Sequence, residues 1–429
     1  MFLFVTPVSY GGNLSIPIAI LSGAVQSILG EYLPTIITAI VVTASIVTVV
    51  VKLARPAFVN NSNFLIGLFD VSPLWCVIRV FGAVFIVQSY FQIGSLAVWS
   101  EETGGMMLND LLPVLFSIFI VAGLLLPLVM RFGLLELVGT LFTSVMRPVF
   151  NLPGRSAVDC VVSWLGDGSV GILMTNKQYE LGFYTQREAA VIGTTFSTVS
   201  LTFSFVILAQ VGLQHLFPLF FLTIFLASIV AAIIVPRLPP LSWKKDIFIN
   251  GQERSIKEDI VPEGWTSFSL GMQRALEKAE GVDSVVDIIK DGVKSAIDMV
   301  CGVIPVVMGI GTIALIIAKY TPIFTYLGMP FVPLLELLHI PQATQASTTL
   351  VVGFADMFVP SILASSIQSE MTRFVIAALS LTQLIYLSEI GALLLSSKVP
   401  IFIWELFVIF ILRTLVTLPV IAGMAHLVF

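Results

Sequence analysis

The sequence predicts an all-α polytopic membrane protein, about nine transmembrane helices plus two re-entrant hairpins in an inverted repeat. Three observations lead there. Of 429 residues, 57% are hydrophobic and only 11% charged, against roughly 25% charged in an ordinary soluble chain. Apolar runs recur from end to end, each long enough to cross a hydrocarbon core about 30 Å thick at about 1.5 Å per helical residue. Two further apolar runs are interrupted by Asp, Ser, Gly and Pro, and unwound backbone at membrane depth is tolerated only where protein or a water-filled cavity satisfies it.

In chain order the expected crossings are 13–30, 34–51, 75–97, 111–130, 188–211, 215–236, 295–318, 372–396 and 400–428, and the interrupted runs are 156–182 and 345–369. The opening MFLFVTPVSYGGN has no charged n-region or small-residue cleavage site and is not read as a removed signal peptide. The long hydrophilic stretch from Pro236 to Lys294 holds nine Lys or Arg, which the positive-inside preference places in the cytoplasm. Its second half spaces Val282, Val285, Val286, Ile289, Val293 and Ile297 three and four apart, predicting an amphipathic linker helix packed on the membrane face. With that loop inside, Lys52, Arg55, Arg131, Arg147, Arg155 and Lys398 also fall inside, and Glu101, Glu102 and Asp110 outside. The N-terminus is then expected inside and the C-terminus outside.

Sliding the chain on itself by 189 residues aligns Gly139 with Gly328, Ala157 with Ala346, Asp167 with Asp356 and Val170 with Val359. Charge argues the repeat better: Arg131 to Ser156 carries three arginines, whereas its counterpart, Tyr320 to Ser347, carries no Lys or Arg. One copy then faces the cytoplasm and the other the outside, as an inverted-topology repeat demands. The expected organisation is 1–108 scaffold helices, 109–214 first repeat, 215–236 a crossing, 237–294 cytoplasmic loop, 295–398 second repeat and 399–429 a final crossing.

Matched breaks in two inverted halves point to a midplane binding site, where half-helix ends and exposed amides receive a solute or ion. A carboxylate in hydrocarbon costs at least about 2.5 to 3.5 kcal/mol, so Asp167 and Asp356 are candidate ligands, with hairpin-tip capping as the plainer alternative. In WLGDGSVGIL, Gly166, Gly168 and Gly171 are read as the break and Ser169 as a hydroxyl; in FADMFVPS, Pro360 is the break and Ser361 the hydroxyl. The helix GTTFSTVSLTFS presents Thr194, Thr195, Ser197 and Thr198, able to accept an ion through lone pairs or to serve as interhelical hydrogen bonds. In LSLTQLIYLSEIGA, Thr382, Gln383, Tyr386 and Glu389 run along one helical face, a row that packing does not explain. Glu180, Arg187 and Glu188 are expected as a surface ion pair, and Glu405 and Arg413 as a snorkelling or structural pair.

Composition excludes other classes. A net charge of −5 spread over both polar faces offers no basic stripe for nucleic acid. Cys76, Cys160 and Cys301 are odd in number and lie in apolar runs, predicting free thiols rather than disulfides or a metal cluster. The expected partners are a small polar solute and the lipid bilayer, with room for a homo-oligomer. No catalytic residue, metal or cofactor is expected beyond a coupling ion, sodium or proton.

The two units, WLGDGSVGILMTNKQYELGFYTQREAAVIGTTFSTVS and VVGFADMFVPSILASSIQSEMTRFVIAALSLTQLIYLSEIG, resemble the nucleoside-recognition or Gate domain. The resemblance is to YjiH-type bacterial inner-membrane proteins, which look related to concentrative nucleoside transporters, spore maturation proteins and the membrane part of ferrous iron transporter B. It covers about 110 to 215 and 295 to 400 and implies a membrane transporter of the bacterial inner or plasma membrane. By position it implies that Asp167 and Ser169 stand where those transporters carry a Gln-Thr-Glu cluster for the base. Gln383, Ser388 and Glu389 would stand where polar and acidic residues hold ribose, and the sodium site would fall near Thr194 to Thr198. The Gln-Thr-Glu cluster itself is absent, so the architecture carries over better than the nucleoside. Two other readings compete: a non-transporting membrane subunit, as in spore maturation, and an intramembrane aspartyl protease using Asp167 and Asp356. WLGD lacks the first glycine of that protease's Gly-x-Gly-Asp signature.

Overall fold

The computed structural model describes the chain apart from residues 1–7, 11–12, 16, 55, 57–58, 60–61, 166–167, 197–200, 254–264 and 282–283. Its described residues are overwhelmingly helical, and six stretches are long and apolar enough to cross a membrane: Ile20–Ala54, Pro73–Phe91, Leu96–Leu125, Gln214–Arg237, Val285–Tyr320 and Ile403–His426. The protein is an all-α multi-pass membrane protein.

A short hairpin of β1 (Val8–Tyr10) and β2 (Asn13–Ser15) precedes the helices, occupying the start of the first expected crossing. The helix α1 (Pro17–Leu29) then runs through a tight turn at Gly30–Tyr32 into α2 (Leu33–Ala54). Gly30 takes φ +46 there, a conformation that glycine adopts without steric cost. The 13 residues of α1 reach only about 20 Å, so two expected crossings make one bent stretch. Next come α3 (Asn63–Phe69) and α4 (Pro73–Phe91), the latter stopped by a left-handed Gln92.

The first repeat begins with a π-wound turn, Met107–Leu111, feeding α5 (Leu112–Arg131). It continues through α6 (Leu134–Phe150), the hairpin arms α7 (Ser156–Leu165) and α8 (Gly168–Glu180), then α9 (Gln186–Val191), a π-wound turn Ile192–Phe196, and α10 (Leu201–Gln210). After α11 (Phe217–Ile234), α12 (Ser267–Glu280) and α13 (Val285–Asp298), the same order recurs. A π-wound turn Met299–Val303 feeds α14 (Ile304–Tyr320), followed by α15 (Ile323–Gly328), α16 (Val332–Leu337) and the arms α17 (Ala343–Leu350) and α18 (Val359–Ala364). An interrupted helix, α19 (Glu370–Gln383) and α20 (Ile390–Ser396), closes the repeat, and α21 (Ile403–His426) ends the chain. The expected crossing 372–396 is thus not an uninterrupted helix, and that over 188–211 includes residues 197–200, which lie outside the described ones.

The chain divides into two compact units, Met1–Leu137 with Met272–Tyr320, and Val138–Gly271 with Thr321–Phe429. In the first, helices meet through small residues, as bilayer packing favours when no hydrophobic effect drives helices together. A Cβ on Gly123 would lie 2.6 Å from the Ala296 backbone, one on Gly292 2.8 Å from the Leu124 carbonyl oxygen, and one on Gly309 2.7 Å from that of Ile78. The first two of these contacts involve α13. It packs on α5 through Gly292 and Ala296, while its apolar stripe of Val285, Val286, Ile289, Val293 and Ile297 faces outward, 41 to 70% exposed. The stripe is the exposed side of the helix, not the side turned to the protein.

The buried Arg79 of α4 ties this unit together. It donates to the Thr48 hydroxyl (3.0 Å), the Leu68 carbonyl (2.9 Å) and the Gly302 carbonyl in the π-wound turn Met299–Val303 (3.2 Å). Gly123→Ala is expected to cost about 1 to 3 kcal/mol by forcing α5 off α13. Gly23→Ala, where nothing lies within 4 Å of the new Cβ, should leave stability unchanged or slightly raised. Thermal unfolding of the two variants in one detergent checks the contrast.

Candidate functional site

Every described candidate binding residue singled out from the sequence lies in the second unit. In the first hairpin, the arms α7 and α8 interlock because Gly171 has no Cβ: one placed there would collide with the Ser163 hydroxyl. Gly171 is therefore a packing contact between arms, not a break. Gly168 opens α8, and Gly166 and Asp167 lie outside the described residues. The buried Asp159 of α7 joins the arms from within. Its Oδ1 accepts from Gln178 Nε2 at 2.6 Å, and its Oδ2 accepts from the Tyr184 hydroxyl at 2.7 Å and the Thr175 hydroxyl at 3.3 Å.

In the second hairpin α17 gives way to a tight turn, Val352–Phe354, and then to irregular backbone before α18. Asp356 Oδ1 accepts the Phe358 and Val359 amides at 2.7 and 3.3 Å, as short acidic side chains do at helix starts. Pro360 sits in the first turn of α18, where its missing N–H forfeits no bond. It starts the second arm instead of breaking the hairpin. The Ser361 hydroxyl donates to the Phe358 carbonyl at 2.6 Å.

The interrupted helix meets this break. Its first half ends at Gln383, and the Ile385 amide bonds back to the Gln383 carbonyl at 2.8 Å around Leu384, which has φ 66 and ψ −32. This is a γ-turn with a non-glycine residue at positive φ, a strain of order 1 to 3 kcal/mol that persists only where surroundings enforce it. The unwound strands then pair: the Leu387 and Ser388 amides donate to the Phe354 and Ala355 carbonyls at 2.8 and 3.0 Å. Thr382, Gln383, Tyr386 and Glu389 consequently do not share one helical face, because the helix stops in their midst.

Side chains lock the same junction. The Ser388 hydroxyl donates to Asp356 Oδ2 at 2.8 Å, and the Ser169 hydroxyl at the start of α8 donates to Glu389 Oε1 at 2.5 Å. Both hairpins thus bond to neighbouring residues of one unwound segment. Gln383 Nε2 donates to the Leu350 carbonyl and the Thr414 hydroxyl, both at 2.9 Å. Its Oε1 fills the space that Gly353 leaves open.

Arg413 corrects the expectation of snorkelling. It is wholly buried, and it donates to the Thr382 carbonyl from Nε (2.9 Å) and Nη2 (2.7 Å). Its Nη1 donates to the Thr194 and Thr195 carbonyls at 3.3 and 3.2 Å. The Tyr386 phenol lies within its electrostatic reach. The Thr194 and Thr195 hydroxyls donate to the Ala190 and Val191 carbonyls at 2.7 and 2.5 Å. Ser197 and Thr198 lie outside the described residues. Glu405 pairs with Lys244 at 2.7 Å rather than with Arg413. Glu188 is buried, not superficial: it pairs with Arg147 at 3.0 Å and closes a capping box with Thr185.

The comparisons with known proteins bear on this arrangement. A family model, Gate, described as nucleoside recognition, matches residues 112–214, the span from α5 through the first hairpin to α10. A protein of Alkalihalophilus pseudofirmus described as uncharacterized is 50% identical over 429 residues, covering all of this chain and 92% of that one. The chain belongs to that protein's family. It is a Gate-domain membrane protein, and the Gate match includes Ser169, Thr194 and Thr195 among the residues of the junction.

Reasoning from sequence missed Asp159 and left Arg413 unexplained. Asp159 carried the same signal as Asp167, a lone carboxylate in an apolar run. The partners of Arg413 are backbone carbonyls, which no sequence pattern displays. Replacing Asp159 by leucine strands two donors, Gln178 Nε2 and the Tyr184 hydroxyl, at about 1 to 3 kcal/mol each, whereas the Thr175 hydroxyl keeps the Gly171 carbonyl at 2.9 Å. Asp159→Leu is therefore expected to lower thermal stability far more than Tyr184→Phe, which removes one bond; unfolding of the two variants in parallel tests this.

Proposed function

We propose that this Gate-domain protein is a secondary active transporter of a small polar solute, nucleoside-like in bearing hydroxyls. The observation that carries the reading is the meeting of two hairpin tips and an unwound segment through Ser169–Glu389 and Asp356–Ser388, at 2.5 and 2.8 Å. Interrupted backbone that presents carboxylates and hydroxyls inside apolar helices is what a midplane solute site requires. Glu389 and Asp356 would accept solute hydroxyls, Tyr386 would stack or donate, and Ser169, Ser361, Ser388 and Gln383 would line the approach. Asp167 is proposed with them.

The protein would sit in a bacterial inner or plasma membrane with its N-terminus cytoplasmic, and a sodium or proton gradient would drive accumulation. The hairpin repeats would alternate access by moving against the remaining helices. An aspartyl protease is the poorer reading, since the Asp356 carboxylate is tied to two backbone amides and Ser388 and is not free to activate water.

Uptake into proteoliposomes across a panel of nucleosides, nucleobases and small peptides, with sodium and proton gradients imposed separately, tests the proposal. Gradient-dependent accumulation of one class is expected. Glu389→Gln and Asp356→Asn should weaken its apparent affinity roughly tenfold to a hundredfold, the worth of a hydrogen bond to a charged acceptor. Accumulation unchanged in both variants sinks the site assignment. Silence across the panel, with a stoichiometric partner co-purifying, replaces transport by the membrane-subunit reading.

A further inference from the structure

The Arg413 guanidinium occupies ground that a transported or coupling cation would otherwise claim. The carbonyls of Thr194 and Thr195 belong to a π-wound turn, and that of Thr382 to the last turn of the first half of the interrupted helix. The C-terminal turn of a helix is a negative pole, a π-wound turn directs carbonyls away from the regular ladder, and such carbonyls can serve as ligands of a monovalent cation in a transporter. Here all three carbonyls receive Arg413, which is 0% exposed and reaches them at 2.7 to 3.3 Å. Among the described residues its interactions at this place are with carbonyls and a phenol. A cation bound among neutral carbonyls has the same surroundings. The fork also cannot leave: it is covalently part of α21, whose Thr414 and Thr417 hydroxyls face Gln383 and Thr382 at 2.9 and 3.4 Å.

We propose that Arg413 is a built-in cation joining the two distorted helices, and that no sodium ion is bound at the Thr194–Thr195–Thr382 carbonyls. The proposal rests on the transporter reading only for its consequence, that any coupling ion acts elsewhere. The bonding role stands without it. Arg413 is thus a positioning residue, holding the junction in register while Glu389, Asp356 and the hairpin tips exchange partners.

The test is thermal unfolding of the purified full chain in detergent, without any transport assay, so its failure is distinct from failure of the uptake experiment. Wild-type protein should melt at the same temperature in sodium, potassium and choline chloride at equal ionic strength. Arg413→Ala should melt several degrees lower and regain part of the loss, saturably, with millimolar guanidinium but not with urea, while guanidinium leaves the wild type unmoved. Sodium-specific, saturable stabilisation of the wild type overturns the proposal. So does an Arg413→Ala protein that is as stable as wild type, or one destabilised yet blind to guanidinium. If Arg413→Ala does not fold, Arg413→Lys against Arg413→Met separates charge from volume: lysine should retain more stability, and equal losses overturn the cation role.

Discussion

Backbone amides and carbonyls freed inside an apolar medium must find partners, and the second unit is arranged around that demand. Each unsatisfied group costs several kcal/mol where no water reaches. The chain nevertheless breaks regular winding at Ile192–Phe196, at Val352–Phe358 and at Leu384–Glu389. The last two breaks satisfy each other through the Leu387 and Ser388 amides on Phe354 and Ala355. The carbonyls of Thr194, Thr195 and Thr382 are met by one side chain, Arg413. An arginine at membrane depth costs about 2.5 to 3.5 kcal/mol on insertion scales, while a hydrogen bond to a charged donor is worth about 1.5 to 3 kcal/mol. Two or more such bonds offset the insertion cost, so the arginine is stable there only because the helices are distorted.

The first unit solves the same problem in the same way. Arg79 reaches the Gly302 carbonyl of a π-wound turn and the Leu68 carbonyl at a helix end. A π-wound turn leaves the regular i to i−4 ladder and turns carbonyls toward neighbours. The planar, five-donor guanidinium suits several carbonyls at once, where an ammonium would be a point charge on a flexible stem. Each unit thus pairs one buried arginine with one π-wound turn. Both repeats also place such a turn just before their first long helix, at Met107–Leu111 and Met299–Val303.

What the sequence displayed and what it hid divide along physical lines. Membrane crossing shows in length and apolarity alone, so α4, α5, α11, α14 and α21 fall close to where they were expected. The hairpins showed because Gly, Asp, Ser and Pro interrupt apolar runs, and Ser169, Asp356, Ser388 and Glu389 do converge. The break at Leu384 was hidden, since a leucine at φ 66 is imposed by tertiary bonds and carries no local mark. The apolar stripe of α13 did not show by which face that helix packs. In a soluble chain the apolar stripe faces the protein, whereas here Gly292 and Ala296 do, and valines and isoleucines face outward. Arg413 was visible as a residue but not as an interaction, because its acceptors are main-chain atoms.

The Ser169–Glu389 bond bears on how such a site would bind at all. A carboxylate left bare among buried groups would be penalised by burial, and the hairpin's own hydroxyl removes that penalty at 2.5 Å. A solute hydroxyl that takes the serine's place at Glu389 Oε1 exchanges one bond for another. Such an exchange of one hydroxyl for another gains little by itself, since net hydrogen-bond worth reflects the difference between two bonded states. Affinity on this reading comes from the rest of the solute, from ring faces against Tyr386 and from apolar surface removed from water. The exchange supplies a different quantity: breaking Ser169 from Glu389 uncouples the first hairpin from the unwound segment, so occupancy of the carboxylate and freedom of the hairpin become one variable. A ligand shifts a conformational equilibrium only by its differential affinity for the two states, and a solute that displaces the serine from Glu389 supplies that difference.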